Sequence, residues 1–320
     1  MRRRAVALLA ATAAAAFLTF VHVSAQKAVF RAGVDVVQVA ATVTDDEGRF
    51  IGGLTRDDFI VYDDGRLQEI ATFSSERPPV SLAVLLDVSV SMTEDQLATA
   101  RAAIGSFITL LGNDDELFLM EFAARGRMLQ NWTRDREAFR LALARANQVP
   151  LTPIDQGQSD VAGKVINSGT AVFDAVATSL GFAAQGVHPT KAVLIISDGK
   201  DTSSHRSPRE VQEAIRASEI LVYALAIDGG STLGSFGVMD GGVDARALRM
   251  LTDDTGGKTE IVNGFKNLAQ ATARLADEFN QQYLISYAAP SIRDGRWHAI
   301  KVEVRKKGSK VRARAGYTAS

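Results

Sequence analysis

The stretch that decides the fold is Leu82–Ser91, which reads LAVLLDVSVS. It opens with an unbroken apolar run, which is typical of a strand buried on both faces of a parallel sheet. The run ends at Asp87, and Ser89 and Ser91 follow at alternate positions. Ligands of open α/β sheets bind at the carboxyl ends of the strands. The stretch therefore predicts a central strand with a polar site at its end.

The chain beyond this stretch alternates buried-strand runs with amphipathic helices, which predicts a Rossmann-like, doubly wound α/β domain with a mainly parallel sheet. The predicted strands are Val80–Leu86, Glu116–Phe122, Lys191–Ile196 and Leu221–Ile227. Two predicted helices begin at Thr93 and at Ser207, where capping-box patterns start. Three more are predicted over Asp135–Ala146, Thr170–Ala184 and Phe265–Gln282. We assign residues 78–282 to this domain.

Both flanks of that domain are rich in strand patterns. Residues 28–76 alternate apolar and polar side chains around an Asp63-Asp64-Gly65 turn. Residues 283–318 do the same around Asp294-Gly295, which we interpret as a hairpin turn. Each segment is too short to bury a good core alone. We therefore predict that the two segments pair into one small β domain that is discontinuous in sequence.

The composition excludes several classes of protein. Among 320 residues, 36 are Lys or Arg and 37 are Asp or Glu, so the net charge of −1 provides no long-range field to attract nucleic acid. The chain has no cysteine, which excludes thiolate zinc sites, iron–sulfur clusters, disulfides and thiol catalysis. With only 4 histidines, a metal site is expected to use oxygen ligands.

Residues 1–25 are typical of an export signal. Arg2, Arg3 and Arg4 precede an apolar stretch that ends in the small-residue sequence Val23-Ser24-Ala25. We predict a cleaved signal peptide and a periplasmic or secreted protein, with an uncleaved signal anchor as the alternative. No later segment has the roughly 18 apolar residues of a membrane span. Cleavage removes three arginines and no acid, which changes 36 basic against 37 acidic residues to 33 against 37, a net charge of −4.

Two further loops bring oxygen donors to the same edge of the predicted sheet. Asp198 follows the strand Lys191–Ile196, and Thr170 lies at the start of a helix. Together with Asp87 and the two serines after it, they make a set of two carboxylates and three hydroxyls. Such a set suits a hard divalent cation and leaves room for water and one outside ligand. Helix capping is the alternative role for Ser91, and Asp201 is interpreted as a solvated loop residue.

The chain from Val80 to Gln282 resembles the von Willebrand factor A domain with a metal-ion-dependent adhesion site (MIDAS). The motif is Asp-x-Ser-x-Ser, then Thr, then Asp, and its members here are Asp87, Ser89, Ser91, Thr170 and Asp198. The resemblance implies that the hydroxyls contact the metal directly and the aspartates do so directly or through water. Because magnesium retains water ligands readily, Mg²⁺ is the first choice, with Ca²⁺ or Mn²⁺ as alternatives. The flanks Leu54–Phe59 and Gln282–Tyr287 resemble an exported subfamily from acidobacteria.

The resemblance implies a protein-binding module rather than an enzyme. Through its cation, an exported domain of this kind would capture an Asp or Glu carboxylate of a protein partner. We expect the loops Pro150–Gly169 and Gly229–Val243 to lie on the metal face and to set specificity. Two alternatives stay open. The metal could be purely structural in an envelope-assembly subunit, or it could activate water for hydrolysis, for which the sequence offers no evident general base.

Overall fold

Residues 36–148, 169–228, 233–234, 237–238, 242–289 and 294–319 are described by this computed structural model. The predicted signal peptide, residues 1–25, lies outside the described residues. So do most residues of the loops 150–169 and 229–243. The placement of those loops on the metal face therefore stays a prediction.

The described chain starts and ends with strands, and strands alternate with helices in between. The N-terminal strands are β1 (Val36–Asp45), β2 (Phe59–Asp63), β3 (Arg66–Gln68) and β4 (Ile70–Ser74), with a 3₁₀ turn at Arg56–Asp58. The middle of the chain forms β5 (Val80–Asp87), α1 (Glu94–Leu110), β6 (Glu116–Phe122), β7 (Gly126–Thr133), α2 (Arg136–Leu143), α3 (Val172–Ala183), β8 (Thr190–Ser197), α4 (Pro208–Ala217), β9 (Leu221–Asp228), β10 (Leu233–Gly234), β11 (Gly237–Val238), α5 (Ala245–Thr252), β12 (Thr259–Asn263), a 3₁₀ turn at Phe265–Asn267 and α6 (Leu268–Phe279). The C-terminal strands are β13 (Tyr283–Ala288), β14 (Trp297–Val304), β15 (Ser309–Arg312) and β16 (Gly316–Thr318).

The central sheet has the strand order β12-β9-β8-β5-β6-β7. Neighbouring strands run parallel, except for the antiparallel pair β6–β7 at one edge. From β5 the chain moves outward to β6 and β7 and then crosses to the other side of β5 to form β8. The strand order therefore reverses between β5 and β8, where open α/β sheets form a ligand crevice. The predicted doubly wound, mainly parallel fold is confirmed.

Strand β5 is buried along its whole length because helices cover both faces of the sheet. Leu82, Val84 and Leu86 lie in the core that α1, α2 and α6 complete. Ala83 and Leu85 lie in the opposite core, against α3, α4 and α5. Successive strand residues point to opposite faces, so burial of both faces requires the unbroken apolar run that the sequence shows here.

The elements of the central domain agree with prediction where their pattern is strong. The four predicted strands are observed within one residue of their expected bounds. Thr93 and Ser207 cap α1 and α4 through the expected capping boxes. The sequence did not predict β7, β12 and α5. The two strands lie at the edges of the sheet and are only partly buried, and α5 is a helix of 8 residues, so none of them carries a long apolar pattern.

The flanking segments form two antiparallel sheets, with the orders β15-β1-β13-β4 and β16-β14-β2-β3. N-terminal strands pair with C-terminal strands in both sheets, through β1 with β13 and β2 with β14. Side chains from both sheets share one hydrophobic core, in which the rings of Phe59 and Tyr283 are 5.1 Å apart. The prediction that the flanks combine into a β structure is confirmed, and its exact domain boundaries stay a prediction.

The interpretation of Asp294-Gly295 as a hairpin turn is wrong. β13 pairs with β1 and β4, whereas β14 pairs with β2 and β16, so the strands before and after this turn lie in different sheets. Turn residues favour a reversal of the chain, but packing of the shared core decides which strand becomes the neighbour. The Asp63-Asp64-Gly65 turn does connect a hairpin, β2–β3, with positive φ at Asp64 and Gly65.

A histidine of β14 lies between two carboxylates. Nδ1 of His298 is 2.9 Å from Oδ2 of Asp64, and Nε2 is 3.1 Å from Oδ1 of Asp294. The hydrogen bond to Asp294 is the main cause that raises the pKa of His298, and the bond to Asp64 adds to it. Carboxylates on both sides therefore favour the protonated imidazole.

Replacing His298 with Gln should remove a pH-dependent part of the stability. A raised pKa in the folded state stabilises the protein fully below the ordinary histidine pKa of about 6.5, and this contribution is lost as the pH rises through the raised value. We expect the natural chain to lose more free energy of unfolding than H298Q between about pH 5.5 and about pH 9, measured by urea denaturation. His205→Gln is the control, since the His205 side chain is 93% exposed. Equal losses in the natural chain and H298Q would contradict this role.

Candidate metal centre

Asp87 ends β5 and is completely buried. Its Oδ1 accepts the backbone N–H of Ser89 at 2.9 Å, and its Oδ2 accepts the hydroxyl of Ser197 at 2.6 Å. Ser197 ends β8, so this hydrogen bond joins the two strands that flank the crevice. The carboxylate is therefore held in one orientation at the carboxyl edge of the sheet.

The two serines of the motif lie on the turn after β5. Their hydroxyl oxygens are 3.0 Å apart. Ser89 is buried and Ser91 is exposed, so the pair extends from the base of the site to the surface. Capping of α1, the alternative role for Ser91, is performed by Thr93, whose hydroxyl accepts the N–H of Gln96. Both serine hydroxyls are therefore left to the site.

Thr170 lies at the same edge because its loop is hydrogen-bonded to the end of β6. The N–H of Val88, on the turn after β5, donates to the carbonyl of Phe122 at 2.8 Å. The N–H of Ala171 donates to the carbonyl of the next residue, Ala123, also at 2.8 Å. Adjacent carbonyls thus bind the turn after β5 and the loop before α3, which brings Thr170 beside the serine turn.

The loop after β8 holds Thr170 from the other side. The N–H of Thr170 donates to Oγ1 of Thr202 at 2.9 Å. The carbonyl of Thr170 accepts the N–H groups of Thr202 and Ser203 at 2.8 and 3.1 Å. Gly169 has a φ of +115°, and a Cβ there would lie 2.8 Å from Oγ of Ser203, so glycine is required. The position of Thr170 is therefore set by both neighbouring loops.

Asp198 directly follows β8 and is half-buried. Its Oδ1 accepts the backbone N–H of Lys200 at 3.1 Å. Burial raises the pKa of Asp87 to about 6, hydrogen bonds from Ser197 and Ser89 oppose this shift, and the negative charge of Asp198 adds to it. The two carboxylates therefore repel each other across one site, and a cation between them would relieve that repulsion.

Three residues that support the site were missed in the sequence. Ser197 and Thr202 position Asp87 and Thr170, as described above. The interpretation of Asp201 as a solvated loop residue is wrong, because its Oδ2 accepts the N–H of Phe173, in the first turn of α3, at 3.1 Å. Hydroxyl residues and Asp are common in loops, so the only signal was their closeness in sequence to Asp198.

The five motif residues together supply only oxygen donors, which is the donor set of a hard divalent cation. Elsewhere among the described residues, Asp63, Asp64 and His298 form a group whose candidate ligand atoms lie within 4.8 Å of one another. Both ring nitrogens of that histidine already face carboxylates, so ion pairing accounts for this second group. The residues at the carboxyl edge of the central sheet are the better fit to a metal.

Fold and site together define a doubly wound α/β protein with oxygen donors at the switch point of its sheet. The sequence model of the von Willebrand factor type A domain matches residues 81–274, and the chain belongs to this family. The match starts in β5 and ends in α6, so the flanking antiparallel sheets lie outside it. The family resemblance inferred from the motif is confirmed.

Several solved structures resemble this chain at low sequence identity. A von Willebrand factor type A protein from Catenulispora acidiphila is 14% identical, over 90% of this chain and 76% of that one, with a TM-score of 0.50. The conserved hypothetical protein BatB from Bacteroides thetaiotaomicron is 18% identical, over 62% and 99% of the two chains, with a TM-score of 0.44. Proximal thread matrix protein 1 from the mussel byssus, with a zinc-occupied MIDAS motif, is 14% identical, over 64% and 49%, with a TM-score of 0.46.

No curated protein matches this chain. Within the described ranges, no helix combines the length and the apolar character that crossing a membrane requires.

Removing the Ser197 hydroxyl should destabilise the fold more than removing an ordinary buried hydroxyl. The Ser197→Ala variant leaves Oδ2 of Asp87 without this donor, and the N–H of Gly199 loses an acceptor that is 2.9 Å away. Each unsatisfied buried group costs about 1–3 kcal/mol. We therefore expect S197A to lose about 2 kcal/mol or more of the free energy of unfolding, measured by urea denaturation.

Ser179→Ala is the matched control for this substitution. Ser179 is also fully buried, but its hydroxyl donates to the carbonyl of Val176 in its own helix. The Val176 carbonyl has a second lone pair that can accept a backbone N–H of the helix, so it is not left without a partner in S179A. This substitution should therefore cost less than about 1 kcal/mol of the free energy of unfolding. Equal losses in the two variants would contradict the special role of the Ser197 hydroxyl.

Proposed function

We propose that this protein is an exported, adhesion-type binding module. Asp87, Ser89, Ser91, Thr170 and Asp198 hold a divalent cation, with Mg²⁺ as the first choice and Ca²⁺ or Mn²⁺ as alternatives. The cation captures an Asp or Glu carboxylate of a protein partner. The observation that carries the proposal is the placement of both aspartates at the switch point, where β5 and β8 end side by side with hydroxyls around them.

The donor set supports binding of an outside ligand. Three of the five donors are neutral hydroxyls, which cancel little of the charge of a divalent cation. Both oxygens of Asp87 already accept hydrogen bonds from the protein. Ser91 is exposed and Asp198 is half-buried, so one side of the site faces solvent. A cation held here would remain attractive to a carboxylate of another molecule.

Recognition in this proposal depends on local charge. The net charge of −1, or of −4 once residues 1–25 are removed, is too small for the field of the whole protein to steer a partner. The loops 150–169 and 229–243 would surround the cation and select among acidic partners. Export depends on residues 1–25, whose charged, apolar and small-residue regions follow the order of a signal peptide.

Mg²⁺ should stabilise the natural chain against heat, and the Asp198→Asn variant should lose this effect. A ligand at about 100 times its dissociation constant adds about 2.7 kcal/mol to the free energy of unfolding. The substitution keeps the size of the side chain and removes the charge that the cation requires. The measurement is the melting temperature with Mg²⁺ and with EDTA. Asp87→Ala is expected to lose the shift as well.

Asp46→Asn is the matched control for the charge change. Asp46 lies in the turn after β1 and is paired with Lys310 at 3.3 Å on the surface of the flanking sheets. D46N alters the net charge by the same amount as D198N and should keep the full Mg²⁺ shift. An unchanged Mg²⁺ shift in both D198N and D87A would contradict the assignment of the site.

Affinity capture from the native envelope, read by mass spectrometry, tests the partner. The natural chain should retain a protein in Mg²⁺ and release it in EDTA, because the proposed contact is made through the cation. D198N should not retain that protein, whereas D46N should. Retention that is insensitive to EDTA, alongside an Mg²⁺-dependent melting shift, would contradict carboxylate capture and favour a purely structural metal.

A further inference from the structure

A cleft lies at the opposite edge of the central sheet from Asp87 and Asp198, where β8 and β9 begin. Its walls come from the end of α4, the starts of these two strands, and the flanking strands β1, β13 and β14. It is partly open to solvent and has room for a few water molecules. A cleft of this size fits a small ligand of a few non-hydrogen atoms. The proposed cation site makes no use of this cleft.

The carboxylates of the cleft are already paired, and one cation is not. Arg216 lies 2.8 Å from Asp254, and Arg314 lies 3.2 Å from Glu219. Lys191, at the start of β8, is half-buried, and no carboxylate of the described residues is within 4.0 Å of its ammonium. The cleft therefore keeps one uncompensated positive charge, which favours a ligand with a single negative charge.

Two neutral groups of the cleft can also donate a hydrogen bond to a ligand. The indole N–H of Trp297 has no hydrogen-bond partner in the described part of the chain, although Trp132 has one in the carbonyl of Phe182. The hydroxyl of Thr190 is buried and makes no hydrogen bond to any described group. Buried polar groups normally have partners, so the Thr190 hydroxyl is left to form a hydrogen bond with a bound molecule.

The remaining wall of the cleft is apolar. Ile220 and Leu221 are buried beside it, and Leu284 contributes from β13. The ring of Trp297 forms one side, with the guanidinium of Arg216 stacked 5.3 Å from the ring centroid. A ligand that fits this surface needs an apolar body next to its charged group.

We propose that this cleft binds a small monocarboxylate with an apolar body. The carboxylate pairs with the ammonium of Lys191 and accepts the indole N–H of Trp297, and the hydrocarbon part packs against Leu284 and the tryptophan ring. The site is independent of the proposed cation site, since it lies at the amino ends of the strands and uses none of the five motif residues.

The test uses butyrate as the probe and the full chain with Trp132→Phe, which leaves Trp297 as the remaining one of 2 tryptophans. Sodium butyrate should change the emission of Trp297 saturably, and sodium chloride at the same ionic strength should not. Butyramide has the same shape without the charge and should bind at least about tenfold more weakly. Calorimetry on the natural chain should give the same dissociation constant for butyrate as the emission change.

Lys191→Gln should weaken butyrate binding by at least about tenfold, because a charge-assisted hydrogen bond is lost. Lys301→Gln is the control, since Lys301 is exposed on β14 and paired with Glu303 at 2.6 Å. Circular dichroism verifies that both variants fold. No saturable change with butyrate, equal binding of butyramide, or unchanged affinity in K191Q would each overturn the proposal. The butyramide comparison needs no substitution at Lys191 and so stays decisive if K191Q fails to fold.

Discussion

Burial of β5 on both faces is the constraint on which the rest of the structure depends. A strand without a solvent-exposed face must be covered by helices on both sides, so the chain leaves β5 in one direction and later returns on the other. These two paths diverge at the carboxyl ends of β5 and β8 and leave a crevice between the loops. Asp87 and Ser197 meet there because each terminates a buried apolar strand.

Complete burial also explains which strands could be predicted. β5, β6, β8 and β9 are buried over nearly their whole length, so each contains a run of at least four consecutive apolar residues. β7 is half-exposed and its pairing with β6 is irregular, and β12 has a single buried residue, so neither differs enough from a loop in sequence. In the flanking segments the alternation predicted strands, but it contained no information on which of two sheets each strand would join.

The positions of the five candidate donors in the fold were predictable because each follows a strand or precedes a helix, where position along the chain determines position in the sheet. The side chains that position these donors were not predictable from the sequence. The Ser197 hydroxyl acts on a carboxylate 110 residues away, and the Thr202 hydroxyl acts on an N–H 32 residues away. Such partnerships exist only once the strands are side by side, and serine and threonine are common in any loop.

The junction between α6 and β13 makes the last helix hard to move. α6 ends at Phe279, and β13 begins at Tyr283 with neighbours on both sides, β1 and β4. Glu278, fully buried near the end of α6, is also ion-paired with Arg312 of β15. A slide of α6 by one residue, about 1.5 Å, would have to disrupt two strand ladders and a buried ion pair together. The flanking sheets therefore oppose movement of α6, the last helix of the α/β domain, along its own axis.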